Sequence, residues 1–506
     1  MSFEETVAYL SDSATHGTTT DVETVRTHAA IVFLAGESAY KIKRPVRYAY
    51  LDFSTLDKRE AMLRRELELN RPAAPEIYRG LVPVTRQADG TLTLGEEGGE
   101  VVEWCLHMRR FPEGAELASV AGRDGISPAL AEEIGRVIAD YHAQAEIRQA
   151  DGRKLVSEIA DQLDDAFSDM AEVFGRGPVD RVRARIAAAV EANATRLTDR
   201  TRAGHVRRGH GDLHLGNMAL LDGRPVPFDA LEFDERLGTL DVLYDLAFMV
   251  MDLLHRDLSE AANAVLCAYL RRADRPEHFD GLAVLPLFLG LRAGIRAMVG
   301  VQTARHSDGR GGPEVSEARA YLDHAIGYLS PTAPRLVAVG GYSGTGKTTL
   351  ARKLAPGIGP APGAIHLRSD LERKAMFGVD PLTRLPERAY SEAAGKRVYD
   401  RLLDHAAQIL QAGHSVVLDA VFATAEERGA VDALGRRLNV PVTGVWLEAD
   451  PRTLVSRVSA RQGDASDADA SVVHKQLASG DPAEEWVRID ARNEISDLLR
   501  RARAAL

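Results

Sequence analysis

The sequence predicts two domains of different fold class: an α+β half with a small β-rich lobe and a larger helical lobe, followed by an α/β half with a parallel sheet. Short strand-like runs crowd residues 20–110, and helical periodicity dominates residues 127–329. From residue 335 onward, apolar strands alternate with helices, which indicates a parallel sheet. The proline-rich stretch 330–334 cannot continue a helix, so we assign the domains to residues 1–330 and 335–506.

The most specific motif opens the second domain. Residues 341–348 read Gly-Tyr-Ser-Gly-Thr-Gly-Lys-Thr between an apolar strand and a helical run, which is the context of a phosphate-binding P-loop. Its glycines let backbone N–H groups face the phosphates, while Lys347 reaches the outer phosphates and the Thr348 hydroxyl ligates Mg²⁺. The nucleotide is ATP, with GTP as the alternative. The predicted contacts are Gly341, Ser343, Gly344, Thr345, Gly346, Lys347, Thr348 and Thr349.

A pair of lysines marks the first domain. Two strands are predicted between residues 27 and 45, and period-2 alternation puts Lys41 and Lys43 on the same face of the second strand. The helix predicted over residues 54–70, with Ser54 as its N-cap, carries Glu66 where it can pair with one of these lysines. Which lysine contacts phosphate stays open, and an edge strand with solvated lysines is the alternative.

Further along, His210-Gly211-Asp212-Leu213-His214-Leu215-Gly216-Asn217 is followed by Asp229, with an Asp-Gly turn between them. An Asp, an Asn five residues later and a second Asp after a short hairpin are typical of kinase catalytic loops. In such loops the first Asp accepts the proton of the acceptor hydroxyl, and the other two side chains hold Mg²⁺. The alternative is a polar turn with capping side chains.

On these residues, the range 20–330 resembles the aminoglycoside phosphotransferase and choline kinase-like family, whose fold is that of the protein kinases. The resemblance implies that Asp212 is the catalytic base and that Asn217 and Asp229 are metal ligands. Leu215 replaces the usual proline of the family motif, and Phe228-Asp229-Ala230 replaces its usual Ile-Asp-Trp, so the substrate stays open. The glycine-rich loop of the family is poorly matched. We interpret Asp241 and Asp245 as buried caps.

The second domain resembles the small-substrate P-loop kinases, a group that includes zeta toxins, gluconate kinases and the kinase domain of polynucleotide kinases. Asp370 and Asp419 each follow a predicted strand, so both should lie beside the P-loop. The resemblance implies that Asp370 is the base and that Arg457 and Arg461, one helical turn apart, are arginines of a lid. A helix cap at Asp370 and a solvated helix face at the arginines are the alternatives.

The overall composition restricts the classes of partner that we expect the protein to bind. The net charge of −11 disfavours nucleic acids and anionic membranes. Cys105 and Cys267 lie in apolar runs and are interpreted as core residues, which fits a cytoplasmic protein, and the N-terminus lacks a basic and apolar leader. The apolar range 281–301 carries Arg292 and Arg296, so we expect a buried helical hairpin there and no membrane span.

Together these features predict a two-site kinase that uses ATP and Mg²⁺ to phosphorylate a hydroxyl of a small molecule. The alternative is a regulatory protein, with a pseudokinase-like first domain and a second domain that is an ATP-binding switch or a zeta-toxin-like kinase. The simultaneous presence of Asp212, Asn217 and Asp229 favours the catalytic interpretation. The acceptor and the oligomeric state stay open.

Overall fold

A computed structural model describes residues 3–48, 51–96, 98–306, 312–461, 463–479 and 483–506. The strands, in chain order, are β1 (Glu23–Arg26), β2 (Ala30–Ala35), β3 (Ser38–Lys43), β4 (Arg47–Tyr48), β5 (Leu51–Asp52), β6 (Tyr78–Arg86), β7 (Leu92–Leu94), β8 (Glu100–Arg109), β9 (Val206–Arg208), β10 (Met218–Leu221), β11 (Arg224–Pro227), β12 (Thr239–Asp241), β13 (Leu336–Gly341), β14 (Ile365–Arg368), β15 (Val416–Asp419), β16 (Val442–Glu448) and β17 (Val487–Asp490).

The helices, in chain order, are α1 (Phe3–Ser11), α2 (Leu56–Asn70), α3 (Leu117–Asp124), α4 (Pro128–Gln144), α5 (Gly152–Ser168), α6 (Ala171–Phe174), α7 (Arg176–Ala192), α8 (Ala194–Arg202), α9 (Glu235–Gly238), α10 (Val242–His255), α11 (Ser259–Ala273), α12 (Pro276–Asp280), α13 (Leu285–His306), α14 (Pro313–Tyr328), α15 (Lys347–Leu354), α16 (Ser369–Met376), α17 (Glu392–Gln411), α18 (Ala425–Leu438), α19 (Pro451–Ser459), α20 (Ala470–Ser479) and α21 (Ile495–Ala504).

The chain divides into two compact units. Unit 1 comprises Met1–Ile126, Asp140–Gly152 and Gly204–Asp252, and unit 2 comprises Ser127–Ala139, Arg153–Ala203 and Leu253–Leu506. Unit 2 therefore joins the helices from residue 253 onward to the P-loop region. The division of the sequence at residues 330–334 stays a prediction.

Unit 1 is built on a sheet with the strand order β1-β2-β3-β8-β6-β7, in which each neighbouring pair is antiparallel. The predicted strand pairs are present, since β2 pairs with β3 and β6 with β7, both antiparallel. On β3, Ile42 is buried in an apolar cluster with Phe33 and Cys105, which leaves the lysines on the other face, as the alternation predicts. Helix α2 begins one residue later than expected, because Thr55 and not Ser54 is its N-cap.

Two small antiparallel pairs in unit 1 carry the polar loop of the sequence motif. β9 precedes this loop and pairs with β12. β10 and β11 form the hairpin between Asn217 and Asp229, with Met218 opposite Pro227. The hairpin brings the two ends of the segment together, so residues twelve apart in sequence lie side by side.

Unit 2 contains a parallel sheet with the strand order β14-β15-β13-β16-β17, in which each neighbouring pair is parallel. The α/β architecture predicted for the second domain is confirmed, with β17 as an additional edge strand that the sequence patterns did not indicate. Helices α15 and α21 pack on the sheet, and Val339, Leu350 and Leu498 belong to their shared apolar core. The carboxyl ends of the strands open towards the P-loop.

The helical part of unit 2 differs from the expectation in two places. The predicted run 179–197 is interrupted, because α7 ends at Ala192 and α8 begins at Ala194. The range 281–301 is not a hairpin: a short helical turn leads into the single helix α13. Among the described residues, one helical stretch, Pro276–Arg305, is long and apolar enough to cross a membrane, and 67% of its most apolar window is buried inside the protein, as in a core helix.

Candidate active sites

In unit 1, both lysines of β3 reach the same carboxylate on α2. The Nζ atom of Lys41 lies 2.7 Å from Glu66 Oε1, and that of Lys43 lies 2.6 Å from Glu66 Oε2. Lys41 also donates to Asp229 Oδ1 at 2.7 Å, and Lys43 donates to Glu232 Oε1 at 2.5 Å. Glu66 is fully buried, so the two ammonium groups compensate its charge inside the fold.

The two lysines differ in what they face. The side chain of Lys43 is 3% exposed, whereas Asp229, the second partner of Lys41, is 43% exposed. Burial alone would lower the pKa of Lys41, but the charges of Asp229 and Glu66 outweigh it and raise the pKa well above its usual value. Lys41 therefore bridges the buried Glu66 and the accessible Asp229, whereas Lys43 is the more buried of the two lysines.

The backbone around Asp229 is held in place by side chains of the small lobe. Its N–H donates to the hydroxyl of Tyr78 at 3.0 Å, and the N–H of Ala230 donates to Asn70 Oδ1 at 2.7 Å. Asp229 has a φ of +60°, a left-handed conformation that Asp tolerates better than most residues. Burial would raise the pKa of Asp229, but Lys41 outweighs it and brings the pKa down to about 2. The carboxylate is therefore ionised at neutral pH.

The polar loop is closed on itself by Asn217. Its Nδ2 donates to both the backbone carbonyl and Oδ2 of Asp212, each at 2.9 Å. Both N–H bonds are thus directed at Asp212, which leaves the amide oxygen as the atom that can ligate a cation. The N–H of Phe228 donates to the Asn217 carbonyl at 3.0 Å, so Asn217 and Asp229 lie on adjacent chain segments.

Helix α10 carries buried carboxylates that accept hydrogen bonds from the backbone of this loop. Asp245 accepts the N–H of His210 at 2.6 Å and that of Gly211 at 3.1 Å, and Asp252 accepts the N–H of Leu215 at 3.0 Å. Asp241 accepts the N–H of Leu243 at the start of α10. Asp241 and Asp245 are therefore caps, as interpreted from the sequence, but Asp245 caps the predicted catalytic loop itself.

In unit 2, the P-loop links β13 to α15 with the conformation that its glycines permit. Gly341, Gly344 and Gly346 have φ values of +137°, +89° and +88°, and a Cβ on Gly341 would come within 2.5 Å of the carbonyl oxygen of Leu447. The Thr345 hydroxyl donates to the Tyr342 carbonyl at 2.8 Å, and Lys347 Nζ donates to the same carbonyl at 3.2 Å. The loop is closed around its own backbone, as a phosphate cradle requires.

The Thr348 hydroxyl donates to Asp419 Oδ2 at 2.7 Å, so its oxygen lone pairs are free for a cation. His366 Nε2 lies 3.3 Å from the same carboxylate oxygen, and Arg368 Nε lies 3.6 Å from it. Burial would raise the pKa of Asp419, but the hydrogen bond from His366 and the nearby cations outweigh it and bring the pKa to about 2. Burial lowers the pKa of Lys347, against the pull of Asp419 and Asp370.

A cleft of about 1340 Å³ brings together most of the residues predicted for the second site. The predicted residues that line it are Ser343, Gly344, Gly346, Lys347, Thr348, Thr349, Asp370, Arg457 and Arg461. Gly341 and Thr345 shape the turn behind it. Asp370 lies in the first turn of α16, whose N-cap is Arg368, so it is not the residue at the capping position.

The lid arginines are placed differently from the prediction. Arg457 lies on α19, but this helix ends at Ser459, so Arg461 follows the helix and is not on its next turn. Arg457 donates to the Ala491 carbonyl at 3.0 Å. Both side chains still line the same cleft, because the chain turns over it after α19.

Beyond Arg461, residues 464–467 are anchored by Asp467. Its carboxylate lies 2.7 Å from Lys374 Nζ and accepts the Leu385 N–H at 2.9 Å and the hydroxyl of Tyr390. This cluster ties residues 464–467 to residues 383–390, and both segments line the cleft.

Sequence reasoning missed several residues that complete these sites. Glu232 was within reach, because it lies three positions after a residue already singled out. His366 and Asp252 gave no signal, since their roles depend on strand register and helix rotation. The missed residues are Asn70, Tyr78, Glu232, Asp252, His366 and Asp467.

Comparison with known proteins finds two family models along the chain. The family model of the phosphotransferase enzyme family matches residues 47–281, and that of an AAA domain matches residues 336–483. An uncharacterized protein of Mycobacterium tuberculosis is 28% identical over 461 residues, covering 89% of this chain and 88% of that protein.

Two solved structures are also similar to parts of the chain. A choline/ethanolamine kinase family protein from Mesorhizobium loti is 15% identical, covers 64% of this chain and 99% of that one, and has a TM-score of 0.36. A gluconokinase from Sinorhizobium meliloti 1021 is 19% identical, covers 34% of this chain and 91% of that one, and has a TM-score of 0.25.

The fold, the sites and the family models define a phosphotransferase. More particularly, the chain is a two-domain protein that joins an aminoglycoside phosphotransferase-type domain to a P-loop kinase-type domain, which confirms the family recognised from the sequence.

Proposed function

We propose that the protein is an ATP- and Mg²⁺-dependent kinase with two nucleotide sites, each transferring the γ-phosphoryl group to a hydroxyl of a small molecule. One observation supports this above all: each compact unit gathers a lysine, acidic side chains and oxygen ligands suited to a cation. Phosphoryl transfer depends on positioning and charge neutralisation, and on a base for the acceptor. Both clusters supply these elements.

Suitable metal ligands are present in each site. Mg²⁺ prefers oxygen ligands, and the amide oxygen of Asn217 and the carboxylate of Asp229 are such donors in the first site. In the second, the Thr348 oxygen keeps its lone pairs because its proton is donated to Asp419. Bound Mg²⁺ supplies charge neutralisation for the phosphate oxygens in both sites.

In the first site, Lys41 is the lysine that we assign to the phosphates, since it faces the accessible Asp229. Glu66 holds Lys41 through their ion pair, and Lys43 holds the other carboxylate oxygen of Glu66. Asp212 accepts the proton of the acceptor hydroxyl, and the amide of Asn217 holds the Asp212 carboxylate at 2.9 Å. The Asp229 carboxylate, which pairs with Lys41, would hold the metal with Asn217 and so orient the nucleotide.

In the second site, Lys347 and the P-loop N–H groups bind the phosphates, and Asp370 accepts the acceptor proton. Arg457 and Arg461 are positioned to meet charge on the transferring phosphoryl oxygens, where guanidinium groups are effective. Arg457 can keep its hydrogen bond to the Ala491 carbonyl, because its guanidinium group has further N–H donors. Residues within the range 384–392 also line the cleft.

An activity screen with matched variants tests this proposal. ADP formation is measured for the full chain with sugars, amino alcohols, nucleosides and aminoglycosides, and again for Asp212→Asn, Asp370→Asn and the double variant. We expect each acceptor-dependent activity to be lost in only one single variant, and all of it to be lost in the double variant. Full activity in the double variant contradicts the proposal, and nucleotide binding without acceptor-dependent turnover favours the regulatory alternative.

A further inference from the structure

His366 is a buried polar residue of unit 2 that the proposed reaction does not use. Its side chain is 10% exposed, and its Nε2 lies 3.3 Å from Asp419 Oδ2. β14 and β15 are parallel with Arg368 opposite Asp419 and His366 opposite Val417, so His366 is the diagonal neighbour of Asp419 on the same face. The oxygen that it reaches is the one that accepts the Thr348 hydroxyl.

This contact bears on the cation ligand itself. Thr348 presents its lone pairs towards a cation only while its proton points at Asp419. Arg368 Nε also faces this oxygen, but at 3.6 Å it is beyond hydrogen-bond distance, so His366 Nε2 at 3.3 Å is the second hydrogen-bond partner that limits rotation of the carboxylate. Partners that orient the ligands of a metal in this way typically change metal affinity or activity by about 10- to 100-fold when removed.

His366 is in turn fixed by α11, a helix upstream of the P-loop in sequence. The backbone N–H of His366 donates to Cys267 Sγ at 3.4 Å. Asn263, 3% exposed, donates from Nδ2 to the carbonyls of Ala364 at 2.9 Å and Pro362 at 3.3 Å. These bonds hold the backbone of β14 before and at His366, on the side where this edge strand has no neighbouring strand in its sheet.

We propose that His366 is a positioning residue of the second nucleotide site, which holds Asp419 in the orientation that accepts the Thr348 hydroxyl, and that α11 fixes His366 through Asn263 and Cys267. The proposal rests on the proposed function of the second site. Helix α11 lies in the range that the sequence assigned to the first domain, and by this proposal it contributes to the second site.

The test measures binding of a non-hydrolysable ATP analogue by calorimetry at a series of Mg²⁺ concentrations. The full chain carries Lys41→Ala and Asp229→Asn, so that only the second site is observed. We expect His366→Leu to raise the Mg²⁺ concentration for half-maximal binding by about tenfold or more. His366→Gln should restore most of the binding, because its amide can donate to the same oxygen.

His414→Leu is the matched control, since His414 is also a buried histidine but precedes β15 at the end opposite Asp419. It should leave the Mg²⁺ dependence unchanged. Asn263→Ala should shift the Mg²⁺ dependence in the same direction as His366→Leu, by a smaller factor. If His366→Leu does not fold, Asn263→Ala and His366→Gln carry the test, as a graded and a conservative change.

An unchanged Mg²⁺ dependence in His366→Leu, or a His366→Gln protein as defective as it, overturns the positioning role. An equal shift in His414→Leu overturns it as well, because the effect is then general. If Asn263→Ala has the same Mg²⁺ dependence as the parent protein, the role of α11 is overturned. Lys347→Ala separates these results from the proposed function: nucleotide binding that survives this change removes the second site itself.

Discussion

Lys41 and Lys43 lie two residues apart on one strand, yet their surroundings differ. Lys43 is enclosed by Glu66, Glu232 and the ring of Phe53, whose centroid is 5.7 Å from Nζ. Lys41 shares Glu66 but also reaches the accessible Asp229. We infer that Lys43 supports the fold, and that Lys41 serves the nucleotide.

Lys43→Met should therefore lower the free energy of unfolding by about 3–5 kcal/mol, the usual cost of removing one partner of a buried ion pair. Lys41→Met should cost less stability, because Glu66 keeps Lys43, but it should abolish nucleotide binding in the first site. Denaturant unfolding and calorimetry of both variants, in a Lys347→Ala background, measure the two effects. The reverse pattern would assign the phosphate contact to Lys43.

Asp212 and Asp229 should separate catalysis from binding. Asp212→Asn removes the proton acceptor and should lower turnover by about 10²–10⁴-fold with ATP affinity little changed. Asp229→Asn removes a charged cation ligand and should weaken binding of Mg²⁺-ATP. Steady-state kinetics on an identified acceptor, together with nucleotide titration, distinguish the two. Undiminished turnover in Asp212→Asn excludes it as the base.

Alternation along β3 was sufficient to predict that both lysines share a face, because a strand has a fixed period of two. It could not predict which lysine meets Asp229. That depends on the left-handed turn at Asp229 and on the anchoring of its backbone by Tyr78 and Asn70, which are set by packing between segments distant in sequence.

At the level of elements, α10 determines whether the catalytic loop keeps its shape. Asp245 holds the first two N–H groups of the loop, at His210 and Gly211. Hydrogen bonds to charged groups contribute about 1.5–3 kcal/mol each. Removing the carboxylate therefore removes two hydrogen bonds of this kind from the loop.

Asp245→Ala should thus lower the free energy of unfolding by several kcal/mol and reduce first-site turnover more than nucleotide affinity. Asp241→Ala is the comparison, because Asp241 caps the start of α10, and we expect it to leave the kinetics of the loop nearly unchanged. Chemical unfolding and single-turnover kinetics report the two properties. Equal kinetic defects in both variants would show that the helix, and not the cap, controls the loop.

The arginines over the second cleft should act mainly in the transition state. An arginine that neutralises the transferring phosphoryl group is worth about 10³–10⁵ in turnover. Arg461→Ala should lose turnover with little change in ATP affinity, and Arg457→Ala should behave similarly. Turnover and nucleotide affinity of each variant are measured against the parent. A loss confined to affinity would mean that they clamp the ground state.

Element boundaries explain why the placement of these arginines was predicted only in part. Spacing of four residues indicates one helix face, but α19 ends at Ser459 before Arg461 is reached. The parallel sheet itself followed from the apolar runs that alternate with helices and from the motif, but the order of its strands and the edge strand β17 did not. The register that places His366 beside Asp419 is a property of the sheet, and no local pattern in the sequence encodes it.

For the whole molecule, the sequence motifs and the compact units divide the chain differently. The first family model ends at residue 281, and the second begins at residue 336, where the P-loop region starts. Unit 2, however, includes α11, whose Glu260 pairs with Lys353 of the P-loop helix at 3.1 Å and whose Asn263 holds the segment before β14. Homology to two families therefore gives no measure of where the fold can be divided.

The covering of β14 by α11 has a consequence for solubility. β14 is an edge strand of its sheet, and exposed edge strands tend to pair with other chains and aggregate. A fragment of residues 335–506 should therefore self-associate, whereas a fragment of residues 257–506, which keeps α11, should stay monodisperse at equal concentration. Light scattering compares the two, and equal behaviour would mean that α11 does not shield the edge. By this reasoning α11 covers the edge strand β14 and so prevents it from pairing with another chain.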